Sequence, residues 1–147
     1  ESPRILGIDG RKMSKSLQNY ISLSETPEEV RRKVMSMFTD PEKVYKNDPG
    51  HPERCNVFAF HRAMENERVP EIEHDCRMGK LGCVACKKEM ADRMVRFLEK
   101  ISPYREKYAG KEKLVEEILF EGSRKARAVA QVTLQEARKA MKIDYGR

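Results

Sequence analysis

Apolar residues recur at helical spacing along most of this chain. Val30, Val34, Met37 and Phe38 form one stripe, Val57, Phe60 and Met64 with His61 a second, Met90, Met94, Phe97, Leu98 and Ile101 a third, and Leu114, Val115, Ile118 and Leu119 a fourth. Punctuation residues bound these stripes. Thr26-Pro27-Glu28-Glu29 supplies a capping threonine, a proline for the first helical position and a glutamate for a capping box, so a helix is expected from Pro27 until Thr39-Asp40-Pro41 ends it. Four apolar residues on so short a helix imply a docking partner. Turn formers fill residues 46 to 54, and a second helix is expected from Asn56 to Glu67, broken by Val69-Pro70. A third runs from near Val84 to Ile101, where Ser102-Pro103 closes it and opens a short fourth. Another covers Lys111 to Phe120. Glu121-Gly122-Ser123 then separates it from a last helix over Ser123 to Ile143. The only strand signal is Ile5-Leu6-Gly7-Ile8 ahead of the turn pair Asp9-Gly10. The fold class is therefore mainly α: five or six helices behind a fragment of strand, with no internal repeat.

Composition narrows the class further. With 147 residues, 37% of them charged, and only 7 Pro and 8 Gly, the chain is neither collagen-like nor low-complexity disorder. It has no apolar run of about 18 residues and no apolar leader after Glu1-Ser2-Pro3-Arg4, so no membrane partner is expected and the cytoplasm is the default location. It begins at Glu1, not Met, and is expected to be a piece of something longer. The net charge of +6 is uneven: Arg11, Lys12 and Lys15 lie within six residues, and residues 123 to 147 hold seven basic against two acidic groups. Local density of positive charge is what a phosphate-bearing partner rewards.

The first of these clusters follows a turn. Arg11-Lys12-Met13-Ser14-Lys15-Ser16 offers two ammonium groups, a guanidinium and two hydroxyls, an inventory suited to grasping polyphosphate. Its core, Lys12-Met13-Ser14-Lys15-Ser16, is the complete KMSKS signature of class I aminoacyl-tRNA synthetases. The flanking Leu6-Gly7-Ile8-Asp9-Gly10-Arg11 resembles the tryptophanyl members, as do Met37-Phe38-Thr39-Asp40-Pro41 and Gly50-His51-Pro52-Glu53. The resemblance covers essentially the whole chain. It implies an ATP-dependent tryptophan-tRNA ligase in which Lys12 and Lys15 neutralise charge developing on pyrophosphate, Ser14 and Ser16 position the phosphates, and Met13 anchors the loop by packing. ATP, with Mg²⁺, tryptophan and tRNA(Trp) are the implied partners, and the full-length enzyme would be a homodimer. Residues 1 to 22 would end a Rossmann-like catalytic domain, and residues 23 to 147 would form the helical domain that approaches the anticodon. The HIGH-type signature and amino-acid pocket are absent from these residues, so the isolated chain is expected to lack a complete active site. Tyrosyl enzymes are the nearest relatives by resemblance.

Cys55, Cys76, Cys83 and Cys86 stand as C-x20-C-x6-C-x2-C in a chain without secretory features, which disfavours disulfides and offers four soft ligands. Gly79 and Gly82 permit a tight wrap between Cys76 and Cys83. Spacing alone suits either a structural zinc or an iron-sulfur cluster. The resemblance favours [4Fe-4S], because some tryptophanyl enzymes carry a similar motif near the anticodon site. Lys80, Lys87, Lys88 and Arg77 flank the ligands and could offset an anionic cluster or extend a surface for RNA. His74 is a candidate to support the ligands.

In the last helix, Arg124, Lys125 and Arg127 are expected in the first turn, where cations oppose the helix macrodipole. A phosphate contact would explain them. Arg138, Lys139 and Lys142 instead suit a helix C-terminus. A competing reading keeps the cysteines and the charge but not the chemistry: a small metal-stapled nucleic-acid-binding module. The two differ in one respect, since an enzyme segment would leave Ile5, Leu6, Ile8 and the Val30 stripe without their packing partner.

Overall fold

The computed structural model describes residues 5–143, which divide into two compact units at the Ser102/Pro103 junction. The first unit holds the amino-terminal loop, α1 (Pro27–Met35), a single 3₁₀ turn (Pro52–Arg54), α2 (Asn56–Ala63), α3 (Val69–Arg77) and α4 (Cys83–Glu99). α1 begins on the capping box its sequence announces: the Glu29 amide donates to Thr26 Oγ1 at 3.3 Å and the Thr26 amide to Glu29 Oε2 at 2.8 Å.

The core forms where α1 lies against α4. Val30, Val34 and Met37 meet Met90, Met94, Val95 and Leu98, with Val57 and Phe60 closing the cluster from α2. Each fully buried side chain of this size contributes roughly 1.5–3 kcal/mol of transfer free energy, so this seam dominates the unit's stability. Two expectations change here. The Val30 stripe does not await an outside partner, because packing against α4 buries Val30, Val34 and Met37. Phe38 and Phe97, expected on the inward stripes, are each 44% exposed, because they sit at the margins of their stripes while Met37 and Leu98 fill the seam. Ile5 and Leu6 do remain exposed, beside an open cavity of about 450 Å³ that also touches Phe60 and Arg62.

The stretch after α2 differs from its sequence reading. α2 ends at Ala63, and Val69-Pro70 starts α3 instead of only breaking a helix. Proline in the first turn costs no hydrogen bond, because the N–H it lacks has no intrahelical acceptor there. α3 carries Cys76 and buries Ile72. Gly79, at φ +68°, then reverses the chain, with the Lys80 amide on the Asp75 carbonyl at 2.8 Å and the Gly79 amide on Cys76 at 3.1 Å. A side chain at Gly79 would collide with the Asn47 carbonyl, so only glycine closes this turn. The expected strand reduces to one antiparallel bridge, Leu6 to Lys12.

The second unit, from Pro103 on, holds all but the first residue of α5 (Ser102–Glu106) and the whole of α6 (Glu112–Ala140). Here the sequence reading needs correction, since Glu121-Gly122-Ser123 lies inside one 29-residue helix and separates nothing. One interior glycine costs about 1 kcal/mol, which the strong helix formers on both sides outweigh. Arg124, Lys125 and Arg127 are thus mid-helix residues. The dipole conflict that pointed to a phosphate contact does not exist. Arg138 and Lys139 do occupy the last turn, where they complement the dipole.

Candidate functional site

The basic loop is held at its base and open at its tip. The Gly7 amide donates to the Arg11 carbonyl at 2.7 Å, the Ile8 amide to the Asn19 carbonyl at 2.8 Å, and the Phe38 amide to the Ile8 carbonyl at 2.9 Å. Met13 packs against the α1–α4 core together with Ile8 and Ile21. The Asn19 carboxamide lies between the limbs: Oδ1 accepts the Ser14 amide at 2.8 Å, while Nδ2 donates to Asp9 Oδ1 at 2.8 Å and to the Lys12 carbonyl at 3.0 Å. A further bond ties the loop to the helices, from the Asn56 side-chain amide at the start of α2 to the Gly7 carbonyl at 2.6 Å.

The charges on this scaffold are not equivalent. Arg11 is paired with Asp9, through Nε to Oδ2 and Nη2 to Oδ2 at 2.7 Å each. The Asn19 amide, joined by the Arg11 backbone and guanidinium, holds the Asp9 carboxyl down to about 2. Lys12 and Lys15 are exposed and neither ammonium has an ionic partner among the described residues. Ser14 and Ser16 share a hydroxyl contact of 2.7 Å beside them. An ordered backbone thus presents two unneutralised ammonium groups and two hydroxyls, and the guanidinium counted from sequence is spent within the loop.

The four cysteines come together from three places: Cys55 from the residue before α2, Cys76 from the last turn of α3, and Cys83 and Cys86 from the first turn of α4. All are free thiols, and all line one small cavity whose other walls are Thr39, Val57, Phe58, Ile72 and Leu81. Burial raises the thiols of Cys55 and Cys76, and burial followed by the neighbouring cysteines pushes Cys86 up to about 12. Four thiols around one cavity are a candidate donor set for a thiolate-ligated group. Among the described residues, however, no three His, Cys, Asp or Glu side chains are gathered as ligands of a single metal ion. His74, a candidate support, is exposed. His61, fully buried, instead stands 3.5 Å from the Cys86 sulfur and bonds Asn66 at 2.8 Å.

The cations around the cysteines separate by contact. Lys87 donates to the Met35 carbonyl at 3.0 Å and so caps the end of α1, and Arg77 pairs with Glu73 and Glu53. Lys88 is exposed and lines an open cavity of about 430 Å³ with Lys43, Lys46 and Tyr45. In the second unit Lys125 pairs with Glu121 at 2.9 Å, and Arg124 and Arg127 are exposed. No helix among the described residues is long and apolar enough to cross a membrane.

The profile of the tRNA synthetases class I (W and Y) matches residues 2–99, two thirds of the chain. The chain belongs to this family. Its similarity extends past that match: it is 50% identical over 145 residues to the tryptophan–tRNA ligase of Aquifex aeolicus, covering 97% of this chain and 37% of the relative, and 38% identical over 145 residues to that of Thermotoga maritima, covering 97% and 44%. The tryptophanyl-tRNA synthetase of Campylobacter jejuni, solved with ADP and tryptophan, superposes on 97% of this chain and 44% of its own at a TM-score of 0.77 and 25% identity. The chain spans about two fifths of the length of these relatives.

Within this class I synthetase segment, the residues that periodicity misses are Asn19 and Asn56, 3% and 4% exposed. Both bond backbone groups, which only the folded chain brings near, and no spacing rule marks such residues. The Asp40 carboxylate is a third, receiving the His51 amide at 2.8 Å and its ring at 2.9 Å, and it joins the two segments that resembled the family separately.

Proposed function

We propose that this chain is the signature-loop and anticodon-domain portion of a tryptophan–tRNA ligase. The observation that carries the reading is the pair of exposed ammonium groups, Lys12 and Lys15, without an ionic partner among the described residues, on a loop pinned by Met13 and Asn19. As the α-phosphoryl group of Mg²⁺-bound ATP moves to the tryptophan carboxylate, charge accumulates on the departing pyrophosphate. Ammonium groups aimed at that charge bind the transition state more tightly than ATP itself, which raises the rate and not merely the affinity. Ser14 and Ser16 add hydroxyl contacts to the same phosphates. The relatives' names support tryptophan as the amino acid. In this reading residues 1 to 22 end the catalytic domain, residues 23 to 147 approach the anticodon of tRNA(Trp), and the enzyme acts as a cytoplasmic homodimer.

Cys55, Cys76, Cys83 and Cys86 would hold a [4Fe-4S] cluster, which supplies a rigid staple across the loop from Cys55 to Cys86. Four thiols lining one cavity match the ligand number of a [4Fe-4S] cluster, and a structural zinc ion, which takes the same number, is the alternative. Lys88, with Lys46, and Arg124, Lys125 and Arg127 are the basic groups offered to the tRNA backbone; Lys87, like the buried Lys43, is already bonded to a main-chain carbonyl.

The test is amino-acid-dependent ATP–pyrophosphate exchange by the full-length protein. Tryptophan should support exchange and subsequent charging of tRNA. Exchange supported by tyrosine and not by tryptophan would overturn the assignment.

A further inference from the structure

We infer that Asn19 is the positioning residue of the basic loop: one buried carboxamide ties both limbs together and thereby fixes the backbone from which the Lys12 and Lys15 ammonium groups reach. The inference rests on the reading of this loop as a polyphosphate clamp.

The carboxamide uses both of its N–H groups and one oxygen lone pair within the loop, on Asp9, the Lys12 carbonyl and the Ser14 amide. Its own main-chain carbonyl takes the Ile8 amide. Three consecutive residues are therefore held in alternation: Lys12 by its carbonyl, Met13 by its packed side chain, and Ser14 by its amide. The two lysine side chains are left free while the backbone beneath them is not. Packing enforces the arrangement from the other side, because a Cβ at Gly7 would stand 2.2 Å from Asn19 Nδ2. Glutamine adds a methylene that moves the carboxamide away from all three partners at once. Aspartate keeps the acceptor for Ser14 but loses both donors and sets a second carboxylate against Asp9. Only a carboxamide of this length satisfies all three partners.

Asn19 touches no reacting atom in this account and acts through the lysines. Displacing a charged contact by about 1 Å costs on the order of a hundredfold in rate. In the full-length protein, Asn19→Ala should lower kcat of pyrophosphate exchange about tenfold or more. The discriminating measurement is a cycle with the double variant Lys12→Ala/Lys15→Ala. In that background Asn19→Ala should cost less than about twofold, because the groups it positions are gone. An equal loss in both backgrounds would mean that Asn19 serves folding alone, and the inference would fall. If Asn19→Ala does not fold, Asn19→Ser enters the same cycle. Amide exchange on the present chain gives an independent readout: the Ser14 N–H should lose protection in Asn19→Ala while core amides of α4 keep theirs, and an unchanged Ser14 amide overturns the positioning role. Should Lys12→Ala/Lys15→Ala leave exchange unaltered while Ser14 protection still depends on Asn19, the clamp reading fails, and the catalytic part of this inference fails with it.

Discussion

The side-chain amide of Asn56 donates to the carbonyl of Gly7 across 2.6 Å, joining residues 49 positions apart in a buried contact. Asn56 follows Cys55 directly, so one bond links the base of the basic loop to the helix that starts at the cysteine site. Removing one partner of a buried hydrogen bond leaves the other unsatisfied, at a cost of about 1–3 kcal/mol. Asn56→Ala should lower the stability of the first unit by that amount in urea titrations with an unchanged slope. A loss below about 0.5 kcal/mol would show that the loop does not depend on this anchor.

Asp9 should titrate far below an ordinary aspartate. Its folded value of about 2 lies under the ordinary aspartate value of 3.8, so the charged form stabilises the loop. That contribution is fully present above the unfolded value and disappears as pH falls through about 2. Carbon NMR of the Asp9 carboxyl should show its midpoint there, and Asn19→Ala should move it upward, because the Asn19 amide is the largest cause of the depression. A wild-type midpoint near 3.8 would contradict the geometry.

Much of this architecture is legible in the chain, and the rest is hidden for definable reasons. The capping box at Thr26 and Glu29 is a local interaction and reads directly from four residues. The buried stripes of α1 and α4 read equally well. What periodicity could not supply was that these two stripes face each other, since pairing is a property of the fold. α3 was hidden because Val69-Pro70 signals a break and a start with the same letters. Gly122 misled in the opposite direction, as a glycine between strong helix formers is tolerated when nothing else ends the helix. At the site, the five signature residues announced themselves, and the four cysteines announced a ligand set. Asn19 and Asn56, which bond backbone, left no trace in the spacing.

Protein purified without oxygen should be brown and hold about four iron and four sulfide per chain, and Cys83→Ala should lose both together with thermal stability of the first unit. Colourless protein with one zinc per chain would replace the cluster with a single-ion site.

Neutralising Arg124, Lys125 and Arg127 together should weaken tRNA binding irrespective of sequence. Each lost phosphate contact should flatten the logarithmic salt dependence by about 0.7–0.9, and tryptophan activation should be unaffected. An unchanged slope would mark these residues as a solvated face, as their mid-helix placement and the Glu121–Lys125 pair already allow.

The most direct measurement is steady-state ATP–pyrophosphate exchange by full-length protein carrying Lys12→Ala or Lys15→Ala. Each change removes an ammonium contact that strengthens only as pyrophosphate departs, so kcat should fall about 10²–10³-fold while the KM for tryptophan stays within about threefold. Exchange rates within about threefold of wild type for both variants would contradict the clamp on which the account rests.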